Sequence, residues 1–164
     1  MYWNLITNII LVSSLITVAD FFVHGLYQWI TRKSFKKVDC QLKAFIPPLI
    51  LMAIVYFIFD KVWILNTRPD GSGEASFPST HVMVVGTIFF ITISALPKYI
   101  KNKTAILILD IILCVLISLT ATGRILANKH WFSDVIAGLI FAMIFTIIYE
   151  IIIGRAKKKA KKNG

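Results

Sequence analysis

Charged side chains are scarce in this sequence. Only 16% of its 164 residues are Asp, Glu, Lys or Arg, whereas 57% are hydrophobic. A soluble domain of about 150 residues buries only roughly 70% of the surface that its unfolded chain exposes, so it could not hide so many apolar side chains. The composition excludes an ordinary water-soluble globule and favours a protein whose solvent is the lipid bilayer.

Acidic residues and cysteines are also few. Asp and Glu number 8 against 18 Lys and Arg, which gives a formal net charge of +10. On a soluble protein this charge would suggest nucleic acid, but on so apolar a chain we expect anionic lipid instead. Cys40 lies in a basic segment and Cys114 within an apolar run. We therefore expect two free thiols and no disulfide framework.

Long apolar runs are what the sequence has in place of charge. A spanning helix needs about 20 mostly apolar residues, and five runs approach or exceed that length. They are Leu5 to Ile30, Ala44 to Phe59, His81 to Leu96, Thr104 to Thr122 and Val135 to Ile153. The second and third need flanking residues for full depth. We predict an all-α integral membrane bundle of five spans, with one domain over residues 1–154 and a basic cytoplasmic tail over 155–164.

The distribution of Lys and Arg predicts the orientation of the bundle, because these residues are retained on the cytoplasmic side of short loops. Five lie between the first two spans, three between the third and fourth, and six after the fifth. We therefore expect the N-terminus outside and the tail inside. The remaining four are Lys61, Arg68, Arg124 and Lys129, and they belong to the opposite face.

The two outer connections, Asp60 to Thr80 and Gly123 to Asp134, hold most of the reactive side chains. Their cations Lys61, Arg68 and Arg124 suit phosphate oxygens. Ser79 and Thr80 add hydroxyls at the predicted start of the third spanning helix, where unpaired backbone amides favour an anion. These residue types predict an oxyanion-binding site.

Two histidines complete the constellation. His130 and Asp134 are four residues apart, so one helical turn would place them on the same face. A carboxylate that binds one ring nitrogen leaves the other free to act as a nucleophile. His81, at the start of another helix, is placed to protonate a leaving oxygen as a general acid. The pattern indicates phosphoryl transfer, with a bell-shaped pH dependence.

Three segments together resemble a known signature. Lys61-x6-Arg68-Pro69, Pro78-Ser79-Thr80-His81 and Arg124-x5-His130-x3-Asp134 are similar, in order and spacing, to the three motifs of the type 2 phosphatidic acid phosphatase (PAP2) superfamily. The resemblance implies a phosphatase that uses no metal or other cofactor. It also implies a phosphohistidine at His130, support from Asp134 and an acid at His81. Phosphate binding is implied for Lys61, Arg68, Ser79, Thr80 and Arg124.

The resemblance also implies a lipid substrate. We favour undecaprenyl pyrophosphate, and phosphatidate, phosphatidylglycerophosphate and lipid A share the same headgroup chemistry. The Lys-rich and Ile-rich composition is typical of a bacterial plasma membrane protein, with the active site outside the cytoplasm. We expect anionic lipids to bind the cytoplasmic face, and we expect no nucleic acid and no protein partner.

Three features depart from the family pattern. Thr80 stands where the second motif usually has Gly, and adds a side chain near the phosphate. Gly123 stands where the third motif usually has Ser, which removes a hydroxyl and predicts a more flexible connection. Five spans, where members commonly have six, predict that the family's first helix is missing.

Two functions of other classes remain open. Asp20, His24, Asp110 and Glu150 lie within apolar spans, as in a small transporter, and the outer cations could then form a non-catalytic anion site. Alternatively, a metal-dependent hydrolase could use ligands drawn from His81, His130, Asp134, Asp70 and Glu74. The cations nearby disfavour a bound metal ion, and activity in EDTA separates that alternative.

Overall fold

The computed structural model describes residues 2–162, which fold into six α-helices, with the longest connection, residues 63–79, before the fourth. The helices are α1 (Tyr2–Arg32), α2 (Cys40–Ala44), α3 (Ile46–Phe57), α4 (Thr80–Tyr99), α5 (Lys103–Leu126) and α6 (Phe132–Lys162). A 3-10 turn lies at Phe35–Lys37, and a π-helical turn at Ile58–Val62 extends α3.

Five segments are long and apolar enough to cross a membrane, which confirms the predicted all-α bundle of five spans. The second span, Cys40–Val62, combines α2, α3 and the π-helical turn. The break between α2 and α3 precedes Pro47 and Pro48, which occupy the first turn of α3. Proline is tolerated there because the first N–H groups of a helix have no partner within it.

Two helices run further than the sequence predicts. α5 continues to Leu126 and includes Gly123 and Arg124, so the prediction that these residues belong to a connecting loop is wrong. α6 continues without a break through Arg155 to Lys162. Lys and Ala both have high helix propensity, so the basic segment continues the last helix.

The centre of the bundle is α4, and about half of its membrane-spanning residues are buried. Val82, Met83 and Ile88 are fully enclosed. α6 crosses α4 closely, since a Cβ atom on Gly138 would lie 2.8 Å from the Ser79 carbonyl oxygen. The outward faces of the other helices carry exposed Ile, Leu and Phe side chains, as expected where lipid replaces water.

Polar residues within the spans bind one another at the end of the bundle where α1 meets α2. His24 lies 3.0 Å from Gln28, whose side-chain amide binds Asp39 at 3.0 Å. Glu150 of α6 accepts a hydrogen bond from Ser94 of α4. Both cysteines are free, as the sequence predicts.

Candidate active site

The loop between the second and third spans folds back on itself. Gly71 and Gly73 have φ angles of 77° and 73°, which are left-handed conformations that favour glycine. The Arg68 amide donates to the Glu74 carbonyl at 3.0 Å, and the Ser76 amide donates to the Asn66 carbonyl at 2.8 Å. This turn returns the chain and places Ser76 four residues before the start of α4.

The connection between α5 and α6 is only a few residues long. Asn128 has a φ of 56°, the left-handed conformation that commonly follows the last turn of a helix. The Lys129 amide then donates to the Arg124 carbonyl at 3.1 Å. The chain therefore turns sharply and brings His130 back beside the end of α5.

Two side chains of this connection bind the other loop. Lys129 pairs with Asp70 at 2.6 Å, and the Trp131 indole N–H donates to the Thr67 carbonyl at 3.0 Å. The hydrogen bond from Lys129 and a second one from Ser72 hold the pKa of the Asp70 carboxyl well below its usual range. Both loops therefore meet at one end of the bundle, which we call the active-site end.

His130 lies at the centre of this end and is only 4% exposed. Its Nδ1 is 2.7 Å from the Ser76 carbonyl oxygen. A carbonyl only accepts, so Nδ1 carries the proton and Nε2 presents its lone pair. Nε2 lies 3.4 Å from Nη2 of Arg124. Burial and the positive charge of Arg124 lower the pKa of His130 to about 4, so its ring is neutral at ordinary pH.

Asp134 is fully buried but does not pair with His130 in the way that the sequence predicts. Its Oδ2 accepts hydrogen bonds from the Ser76 hydroxyl and from the Trp131 amide at 3.0 Å. Its backbone carbonyl accepts from the Ser79 amide at 2.9 Å. Asp134 holds the segment that orients His130, and Ser76 joins the two residues. In the sequence, Ser76 is one hydroxyl among several in a Gly-containing loop.

Two buried donors at this end lack partners among residues 2–162. Arg124 is 2% exposed and donates from Nη1 to Asn4 Oδ1 at 2.8 Å, but its Nε has no hydrogen-bond partner. The Ser79 hydroxyl, at the N-cap of α4, also has none. Buried donors are normally satisfied, so unpaired donors indicate a place for an acceptor such as an anion.

The other predicted phosphate ligands are less enclosed. Arg68 pairs with Glu74 and also donates to the Ala75 carbonyl at 3.3 Å. Lys61 pairs with its neighbour Asp60 at 2.7 Å, and its side chain is 62% exposed. Thr80 is the first residue of α4 and is half-buried. In the described part of the chain, Lys61 makes no hydrogen bond or ion pair with the residues around His130.

The beginning of α1 contributes residues that sequence reasoning missed. His81 Nε2 lies 2.9 Å from Asn8 Oδ1, and Arg124 binds Asn4 in the same way. Asn4 and Asn8 are one turn apart in a mostly apolar run that also contains Thr7. That spacing was the available signal, because two amides on one face of a spanning helix require polar partners.

Gly123 has a different role from the flexible link that the sequence predicts. It is buried within α5, and a Cβ atom there would lie 2.6 Å from Cγ2 of Thr7. The missing side chain lets α1 pack directly against α5. Because Thr7 is between Asn4 and Asn8 on the same face, this contact fixes the position of both amides.

The described residues contain no cluster of three or more His, Cys, Asp or Glu side chains that could hold a metal ion. The donors that are present are guanidinium, hydroxyl and imidazole groups, which suit an oxyanion. The site therefore combines an uncharged imidazole with unpaired donors beside it.

Comparisons with known proteins concern the fold and the family. A crystal structure described as the first transmembrane PAP2 type phosphatidylglycerolphosphate phosphatase, from Bacillus subtilis, superposes with a TM-score of 0.62 and 21% sequence identity. The match covers 96% of this chain and 76% of that one. A comparison with curated proteins gives no match. The family model of the PAP2 superfamily matches residues 50–158, and the chain therefore belongs to this superfamily of membrane phosphatases.

Proposed function

We propose that the protein hydrolyses a lipid phosphate or diphosphate through a phosphohistidine intermediate at His130, without a metal ion. The observation that carries the proposal is the state of His130. The Ser76 carbonyl occupies Nδ1, and the neutral ring offers Nε2 beside Arg124. This is the arrangement that a nitrogen nucleophile requires.

In the first step, Nε2 of His130 attacks phosphorus, so a P–N bond forms as the P–O bond to the lipid breaks. His81 gives its proton to the departing oxygen. Arg124 Nε and the Ser79 hydroxyl, which have no partner in the described residues, supply donors for the negative charge on the phosphoryl oxygens. In the second step, water attacks phosphorus and gives a proton to His81, which the first step left unprotonated. The P–N bond breaks, its electron pair returns to Nε2 of His130, and inorganic phosphate leaves.

We place this chemistry at the extracytoplasmic face. Only four of the cations, Lys61, Arg68, Arg124 and Lys129, lie at the active-site end, and most Lys and Arg lie at the opposite end. The positive-inside bias then puts the C-terminus in the cytoplasm. Reporter fusions at the C-terminus test this orientation, since a reporter that is active only outside the cytoplasm should stay inactive.

For the substrate we propose undecaprenyl pyrophosphate, because an extracytoplasmic site on a small bacterial membrane protein suits the recycling of a carrier lipid. Phosphatidylglycerophosphate is the second candidate, since the similar crystal structure is that of a phosphatidylglycerolphosphate phosphatase. Both lipids would present phosphate oxygens to the same cationic side chains, so only a direct comparison of turnover separates the two candidates.

The decisive experiment measures phosphate release in detergent with excess EDTA, from both lipids and from phosphatidate, for the wild type and His130→Gln. We expect EDTA to have no effect and His130→Gln to abolish release. Labelled lipid should also leave phosphate on the wild-type chain after alkaline quenching, which preserves phosphohistidine. Activity that EDTA removes, or that survives in His130→Gln, would refute the mechanism.

A control is Asp60→Asn, which neutralises a carboxylate in the π-helical turn. In the described residues this carboxylate pairs with the exposed Lys61. The variant should retain most of the activity. If the folded wild type cleaves none of the lipids, the phosphatase proposal fails and the transport or anion-binding functions become the better explanation.

A further inference from the structure

The beginning of α1 lies against both the guanidinium and the acid histidine of the site. We propose that Asn4 and Asn8 are positioning residues of the reaction: Asn4 orients Arg124 toward the phosphoryl group, and Asn8 orients His81 toward the leaving group. This proposal rests on the phosphatase function proposed above. None of the three PAP2-like motifs includes these two residues, which precede the first motif by more than one whole span.

The Asn4 contact determines which edge of Arg124 is free. Asn4 Oδ1 accepts from Nη1 at 2.8 Å, which leaves Nη2 and Nε as the remaining edge of the guanidinium. Nη2 lies 3.4 Å from Nε2 of His130, and the buried Nε has no partner in the described residues. An Nη2–Nε edge can bind two phosphate oxygens at once. Asn4 therefore turns the bidentate edge of Arg124 toward the nucleophile.

The Asn8 contact determines where His81 carries its proton. Asn8 Oδ1 is 2.9 Å from Nε2 of His81, and a carboxamide oxygen only accepts hydrogen bonds. Nε2 therefore carries a proton and points at an uncharged oxygen. Asn8 thereby fixes the direction in which His81 presents this donor.

Neutral amides suit this position better than carboxylates would. The charged and titratable groups that face His81 are Arg124, Arg68 and His130, which come from α5 and the two loops. An Asp in place of Asn4 or Asn8 would pair with these groups and compete with the phosphate for them. An amide holds the same hydrogen-bond geometry without adding a negative charge.

The packing of α1 gives the amides a fixed support. Thr7 lies between Asn4 and Asn8 and is fully buried against Gly123 of α5. The same turn of α1 thus makes a close helix contact and two polar contacts with the site. A rigid helix holds such groups more precisely than a loop would.

The test compares Asn4→Leu, Asn8→Leu and Asn8→Asp, which all keep the number of side-chain heavy atoms. Loss of a hydrogen bond to a charged group should lower activity about 10- to 100-fold. For Asn4→Leu we expect this loss mainly in KM, together with weaker competitive inhibition by inorganic phosphate. For Asn8→Leu we expect it in kcat.

Two readouts separate positioning from a merely structural role. Asn8→Leu should lose kcat on the lipid but keep it on p-nitrophenyl phosphate, whose leaving group needs little help from an acid. Asn8→Asp should move the alkaline limb of the kcat profile to higher pH, because a carboxylate favours the protonated form of a neighbouring imidazole. Thr17→Ala is the control, since its hydroxyl binds only its own helix at the Ser13 carbonyl.

The outcomes distinguish this proposal from the function on which it rests. If the wild type releases no phosphate, the function itself fails. If the wild type is active and depends on His130, but folded Asn4 and Asn8 variants match Thr17→Ala in every readout, the positioning proposal is overturned. Equal losses on the lipid and on p-nitrophenyl phosphate in Asn8→Leu would also overturn it, because they would indicate a general disturbance of the fold.

Discussion

Replacing Gly123 with Ala should push α1 away from α5. The added Cβ would lie 2.6 Å from Cγ2 of Thr7 and 3.4 Å from Cε3 of Trp3. A contact of 2.6 Å between two carbon atoms is too short, so one of the two helices must move. Overpacking of this kind costs about 1–3 kcal/mol, whereas Ala in place of Gly gains about 1 kcal/mol of helix propensity.

Gly154 provides a matched reference for that gain. It also lies within a spanning helix, but a Cβ there would meet no atom within 4 Å. Gly154→Ala should therefore show the propensity gain alone. At about 2–4 °C per kcal/mol for a chain of this size, Gly123→Ala should melt about 2–12 °C below Gly154→Ala in the same detergent. Thermal unfolding followed by circular dichroism measures the difference.

The clash has a specific remedy. Thr7→Ser removes the Cγ2 methyl and keeps the hydroxyl, which binds the carbonyls of Trp3 and Asn4 at 3.1 Å. The double variant Thr7→Ser/Gly123→Ala should regain most of the lost stability, and it should also regain phosphatase activity if the shift of α1 had displaced Asn4. Equal melting temperatures for Gly123→Ala and Gly154→Ala, or no recovery in the double variant, would refute the packing argument.

Three further predictions concern the chemistry. Ser76→Ala removes the hydroxyl that binds the buried Asp134. We expect kcat to fall about 10- to 100-fold with little change in KM, as for other lost hydrogen bonds to charged groups. Ser76→Thr keeps the hydroxyl and should retain activity. The pKa of His130 is lowered to about 4, so the ring stays neutral above that pH. We therefore expect kcat/KM to fall on acidification only near pH 4. A fall near the unperturbed pKa of about 6.5 would contradict the neutral, buried ring. Arg124→Ala should lower kcat about 10²- to 10³-fold, as the loss of an oxyanion donor does. Lys61→Ala should lower kcat less than about tenfold, because Lys61 is exposed and paired with its neighbour. Steady-state kinetics in one detergent compares the two variants.

The sequence predicts the five spans well because each is a long apolar run, and the length of such a run is fixed by the thickness of the bilayer. It misplaces Gly123 and Arg124 because a glycine and a charge are typical of a loop. In the fold, α1 encloses both residues and the helix continues past them. Tertiary packing has overridden the local signal there.

The candidate site is only partly readable from the sequence. The spacing of His130 and Asp134 correctly suggests that they lie close together, but not that Ser76 stands between them. The contact between Asn4 and Arg124 joins residues 120 positions apart. No local pattern encodes a partner at that separation, so these contacts become visible only when the helices are packed.

The contact between the first and fourth spans has a consequence for biogenesis. Arg124 of α5 can meet its partner Asn4 only when the fourth span has been made and packs against α1. A nascent chain that has inserted its first four segments still lacks the last helix, which carries Asp134. The protein thus becomes an enzyme at the final stage of its own assembly, and catalytic activity reports a fully inserted chain.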